Sequence, residues 1–155
     1  MAAYKKRMTA VFLIMAAVFI LAAGDDGTAR LASLQKVNLI IGDAVLHAWV
    51  VSRPAEMQKG LMQIKSLPPD AGMLFVFQDT AIHSFWMKNT LIPLDIAFLA
   101  EDGMILEIRK MRPLDETSIV SAKPAAFALE VSSGWFAEKK VFSGMRVKIP
   151  SDIQR

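Results

Sequence analysis

His83-Ser84-Phe85-Trp86-Met87-Lys88-Asn89-Thr90-Leu91-Ile92-Pro93-Leu94-Asp95-Ile96-Ala97-Phe98 is the stretch whose reading decides the fold. An aromatic-rich run, Phe85-Trp86-Met87, stops at three polar residues, Lys88, Asn89 and Thr90. Pro93 excludes a helix interior and pushes Ile92 toward extended backbone. A second apolar run then starts at Leu94 and carries Asp95 inside it. The pattern is strand, polar corner, strand, and no helix is expected between Ser84 and Leu99. Nowhere else do so many hydrogen-bonding side chains stand between two strongly apolar segments, so this corner is the first candidate for a site.

The flanking segments extend the same rhythm. Lys36 to Ile41 and Ala44 to Val51 read as strands joined at Gly42-Asp43, a hairpin signal. In the second, Val45, His47, Trp49 and Val51 alternate with Leu46, Ala48 and Val50. Both sets are mostly apolar, which predicts a strand covered on both sides. Ser52-Arg53-Pro54 reads as a helix start with Ser52 as N-cap, and the helix is expected over 54–62, weakened at Gly60. Pro68-Pro69 marks a loop. Met73 to Phe77 reads as a buried strand, and Leu94–Leu99 pairs with Met104–Lys110 through Glu101-Asp102-Gly103. Met111 to Pro124 reads as a long loop. Ala125–Val131 is a strand, 134–140 a short helix and Met145–Ile149 a last strand. About eight strands and one or two short helices predict a mainly β, compact single domain, barrel-like or two-sheeted. The sequence has no βαβ alternation and no phosphate-binding glycine loop, which argues against a nucleotide-binding sheet.

The N-terminus stands apart. Lys5-Lys6-Arg7 precedes Met8 to Ala23, sixteen residues with only Thr9 polar, and then Ala22-Ala23-Gly24 before Asp25. This is the build of a secretory signal over 1–24, followed by a linker over 25–35, a domain over 36–150 and a tail over 151–155. An uncleaved anchor is the alternative, although spanning takes about 20 apolar residues. Either reading exports the domain to the periplasm or the exterior, with membrane contact only through this segment. Lys5, Lys6 and Arg7 also carry the excess charge. Without them 15 basic residues face 15 acidic ones, so no nucleic-acid partner is expected. The absence of cysteine excludes disulfide and thiol chemistry.

For chemistry the inventory is short. No serine sits in a G-x-S-x-G elbow, and two histidines without an H-x-x-x-H pair do not make a zinc site. His83 and Met87, with the other methionines, raise copper(I) as an option, but methionine in apolar context is core filler first. No metal and no cofactor are expected. Asp95 and Glu130 are the only acids embedded in apolar strands. They are candidates for structural pairing, for ligand binding, or for acid–base work, which in glycoside cleavage needs two acids facing one cleft. Trp49 and Trp135 read as packing residues.

Gly60-Leu61-Met62, Gly72-Met73-Leu74-Phe75, Trp86-Met87-Lys88-Asn89-Thr90, Ile92-Pro93-Leu94-Asp95 and Leu129-Glu130 follow one another in this order. In this the chain resembles the uncharacterised bacterial and archaeal family called domain of unknown function 192, over roughly Lys36 to Ile149. The resemblance implies a compact β-rich domain and no established activity. Lys59 and Gln63 flank the G-L-M segment where the family often has arginines. Three functions are carried forward. The first is a non-enzymatic domain binding a small polar ligand, glycan or peptide in the cell envelope. Its candidate site is Phe85, Trp86, Lys88, Asn89, Thr90, Asp95 and Glu130. The second is a structural or interaction module in which the motif locks a corner. The third is a hydrolase-type enzyme using Asp95 or Glu130 as acid or base, with its catalytic residues otherwise unknown.

Overall fold

A computed structural model describes residues 27–153. The expected signal segment, 1–24, lies outside the described residues. Within them the chain forms nine strands and three short helices. Strands β1 (Lys36–Ile41) and β2 (Ala44–Val51) make the hairpin expected at Gly42-Asp43. Helix α2 (Pro54–Lys59) and a long turn lead to β3 (Ala71–Ala81), which lies parallel to β2. Strand β4 (Ser84–Phe85) precedes the corner, and β5 (Leu94–Leu99) and β6 (Ile105–Met111) form the hairpin expected at Asp102-Gly103. Strand β7 (Ile119–Val120) pairs with β4, and β8 (Ala125–Ser132) inserts between β3 and β5. Helix α3 (Trp135–Glu138) and β9 (Val147–Lys148) complete the chain. The main sheet has the order β6-β5-β8-β3-β2-β1-β9.

This sheet is curled into a half-barrel, which bears out the expected β-rich, barrel-like class. Its edges meet along a short seam. The Ile105 N–H donates to Met145 O (2.8 Å), the Gly144 N–H to Ile105 O (2.8 Å) and the Val147 N–H to Gly103 O (2.9 Å). At Gly103, with φ of 79°, a Cβ would overlap the Val147 carbonyl oxygen, so the seam requires glycine there.

Both faces of the sheet are apolar because the alternation in the strands feeds two cores. Leu39, Leu46, Leu74, Ala97, Leu99 and Leu129 belong to one, capped by Trp135 and Phe136. Trp49, Val51, Met73, Phe75, Ile96 and Phe98 belong to the other, covered by Leu31, Leu61, Ile64 and Met87. Strand β2 contributes to both, as its double apolar pattern requires.

Several expectations are corrected. The stretch 25–35, read as a linker, carries a one-turn helix, α1 (Thr28–Ala32), because Leu31 has a core to enter. Ser52 is not the N-cap of α2: Arg53 is, with no side-chain cap, and its guanidinium pairs with Glu56. Helix α2 stops at Lys59, since Gly60 at φ 44° cannot continue it. Strand β3 runs four residues beyond Phe77 because Ala81 still pairs with Ala125 after a register shift. The loop at 111–124 contains β7. No helix lies between Ser84 and Leu99, as expected. No helix among the described residues is long and apolar enough to cross a membrane.

Candidate functional site

The polar corner is a structural junction. The Met87 N–H donates to Asp115 O (2.8 Å), the Thr90 N–H to Met87 O (3.0 Å), the Leu114 N–H to Thr90 O (3.0 Å) and the Gln63 N–H to Asn89 O (2.9 Å). Asn89 takes φ 55°, a left-handed conformation that asparagine tolerates better than most residues. The Thr90 hydroxyl, buried, donates to Lys88 O at 3.3 Å. The Lys88 ammonium lies 5.2 Å over the Trp86 ring. Met87, Asn89 and Thr90 therefore tie this corner to the loops at Gln63 and at Leu114–Asp115, and neither Lys88 nor Asn89 lines the neighbouring cavity.

Asp95 is also architectural. Its carboxylate accepts from the Ser133 hydroxyl (2.9 Å) and from the Gly134 N–H (2.8 Å), holding the turn that starts α3. Lys88, Asn89 and Thr90, the polar residues nearest to it in sequence, do not bond to it. The register explains why. Cross-strand neighbours share a face, and the β5–β8 pairs are Ile96 with Glu130 and Asp95 with Val131. Ile96 belongs to one core and Val131 to the other. Asp95 and Glu130 thus project from opposite faces of the sheet. They cannot face one cleft, which removes the paired-carboxylate reading.

Glu130 opens into a cavity of about 460 Å³ on its own face of the sheet. Phe75 and Phe77 of β3 share that floor, Met57, Leu61 and Met62 form one wall, and Phe85, Trp86 and Thr90 form the other. The aromatic side chains interlock. Phe85 sits edge-to-face against Phe75 (4.9 Å between centroids) and Phe98 (5.7 Å), and Phe77 stacks on the His83 imidazole at 3.5 Å. His83 is itself held by its N–H to the Ser121 hydroxyl (3.0 Å). Gln58, Lys59, Gln78 and Asp79 belong to the exposed part of the lining, as do Ser84 and Trp86. Close packing underneath depends on Gly72, where a Cβ would stand 2.5 Å from Glu130 O.

Glu130 is 4% exposed, and no described side chain forms a hydrogen bond or ion pair with it. Desolvation alone pushes its carboxyl up to about 8, so near neutral pH it carries its proton. A buried acid without a partner is costly and marks a functional position more often than a structural one. Of the residues expected at the site, Phe85, Trp86, Thr90 and Glu130 line this cavity and Lys88, Asn89 and Asp95 do not. Met57, Leu61, Met62, Phe75 and Phe77 had no signal as site residues, and His83 had one only as a copper ligand. They converge only through the β2–β3 crossover and the β4–β7 pairing. Trp135 is packed, as expected, with its indole N–H on Asp70 (2.8 Å).

Residues 37–149, which carry these motifs and the whole cavity lining, match the family DUF192, described as an uncharacterised ACR. The chain belongs to DUF192. Two crystal structures show the same fold in relatives. One, from Sinorhizobium meliloti 1021 and provisionally described as a transcription regulator, is 36% identical with a TM-score of 0.71 over 75% of this chain and 95% of that one. The other, a protein of unknown function from Novosphingobium aromaticivorans DSM 12444, is 32% identical with a TM-score of 0.73 over 77% and 89%. No curated protein matches the chain.

Proposed function

We propose that this DUF192 domain is an exported binding domain whose small ligand occupies the Glu130 cavity, with an apolar body against the aromatic walls and one polar group at Glu130. The observation that carries the reading is the lone buried carboxyl at the floor of a mostly apolar pocket. Such a pocket, with few polar groups placed to orient a guest, has the make-up and size of small-molecule sites. The charged N-terminus and apolar run of residues 5–24 support export. A regulator role like that attached to the Sinorhizobium relative draws no support from the balanced charge of residues 25–155. The Asp95 arm of the enzyme reading loses ground because that carboxylate holds a turn. The test is a fragment screen read by amide chemical shifts. Shifts are expected to gather at 60–62, 75–77, 84–86 and Glu130. Hits scattered over the surface, or none, overturn the proposal.

A further inference from the structure

The chemistry at the cavity floor narrows the ligand class. Glu130 is one negative group in potential, in a cavity that Phe75, Phe77 and Phe85 also line, with no cation of its own. Aromatic faces carry negative quadrupole potential and attract cations desolvated against them. The protein already uses one such face this way, since the Lys88 ammonium sits over Trp86. The rings around Glu130 are fixed by their own packing: Phe75 against Phe85, and Phe77 against His83. The other titratable groups of the cavity are Lys59 and Asp79, both exposed, and His83, half-buried against Phe77. Burial is the whole cause of the displaced Glu130 titration, so none of these groups answers its charge.

We propose that the cavity takes the charged end of an organic ammonium ligand, with Glu130 as its counter-charge and Phe75, Phe77 and Phe85 as its aromatic surround. This rests on the cavity being a binding site. The proton balance follows. The empty site holds a neutral Glu130 carboxyl near pH 7. When the ammonium enters, the carboxyl gives its proton to solvent and the bound state is a carboxylate–ammonium pair. Binding therefore releases one proton, and affinity rises about tenfold per pH unit until Glu130 titrates in the empty protein near pH 8. A neutral guest of the same shape releases none.

The experiment compares benzylammonium with benzyl alcohol on the purified full-length chain, by calorimetry at pH 6, 7 and 8 in buffers of different ionisation heat. The expected result is tighter binding of benzylammonium, release of about one proton at pH 7, and at least a tenfold loss of benzylammonium binding in Glu130→Gln, larger than the loss for benzyl alcohol. Equal binding of the two probes at the cavity, without proton release and without effect of Glu130→Gln, overturns the ammonium inference and leaves the binding site standing. Failure of both probes to bind the folded protein overturns both. A Glu130→Gln chain that does not fold is replaced by Phe85→Leu, which is expected to weaken benzylammonium more than benzyl alcohol. The opposite order counts against the proposal.

Discussion

Asp95 and Ser133 stand 38 positions apart and are joined by a 2.9 Å hydrogen bond from the Ser133 hydroxyl to the Asp95 carboxylate. With the Gly134 N–H on the second oxygen, this one side chain fixes the exit of β8 and the start of α3. Hydrogen bonds to a buried charge contribute more than neutral ones, so Asp95→Ala is expected to cost roughly 3 kcal/mol in denaturant unfolding. Ligand binding at the Glu130 cavity, on the opposite face, should not change. Lys88→Met and Asp95→Ala have no shared partner and should add in a double-mutant cycle. A coupling above about 0.5 kcal/mol would show that the two meet after all.

Glu130 predicts a pH dependence of stability. Its folded carboxyl holds a proton between the ordinary 4.5 and about 8, whereas the unfolded chain has lost it. Raising the pH across that window therefore favours unfolding, by roughly 1 kcal/mol per pH unit from this group alone. Glu130→Gln removes the term. The difference in unfolding free energy, variant minus parent, should grow from pH 5 to pH 8. Parallel curves would mean that the carboxyl is hydrated in solution.

The seam offers a second stability test. Gly103→Ala meets the Val147 carbonyl and adopts positive φ, so it should cost roughly 1–3 kcal/mol. Gly144→Ala adopts φ of 94° but meets nothing within 4 Å, and only the conformational penalty of about 1 kcal/mol remains. Urea midpoints of the two variants should keep that order.

Export is tested by N-terminal sequencing of the chain expressed in a bacterium with an envelope. The expected first residue is Asp25, in the soluble envelope fraction. Recovery of an intact Met1 chain in membranes would favour the anchor.

Local signals in the sequence were strong where the structure is local. Gly42-Asp43 and Asp102-Gly103 marked both tight hairpins, and Pro93 separated the corner from β5. The double apolar pattern of β2 announced two cores. The site was half legible. Glu130 stood out as an acid inside an apolar strand, and Phe85 and Trp86 as part of the motif. Which face each acid takes depends on the β5–β8 register, and that pairing joins segments about 35 residues apart, outside any local window. The same holds for Met57 and Leu61, which reach the cavity only because the crossover from β2 folds back over β3. Polar residues of the corner stood out by composition, but the carbonyls of Asn89 and Thr90 hold neighbouring loops and the Thr90 hydroxyl closes the turn itself, as turn residues commonly do.

Strand β9 lies antiparallel beside β1, pairing Ile41 with Val147 and Ile40 with Lys148. Strand β9 therefore runs back toward the start of β1, while Leu31 before β1 packs into one core and Ile153 after β9 into the other. A linker joining the two ends has to pass around the β9 edge from one face to the other, and its closure cost grows only slowly with its length. A circularly permuted version, cut at the exposed Asp43 turn, is expected to keep the Glu130 cavity intact, because no residue of that cavity lies on the two strands beside the old ends.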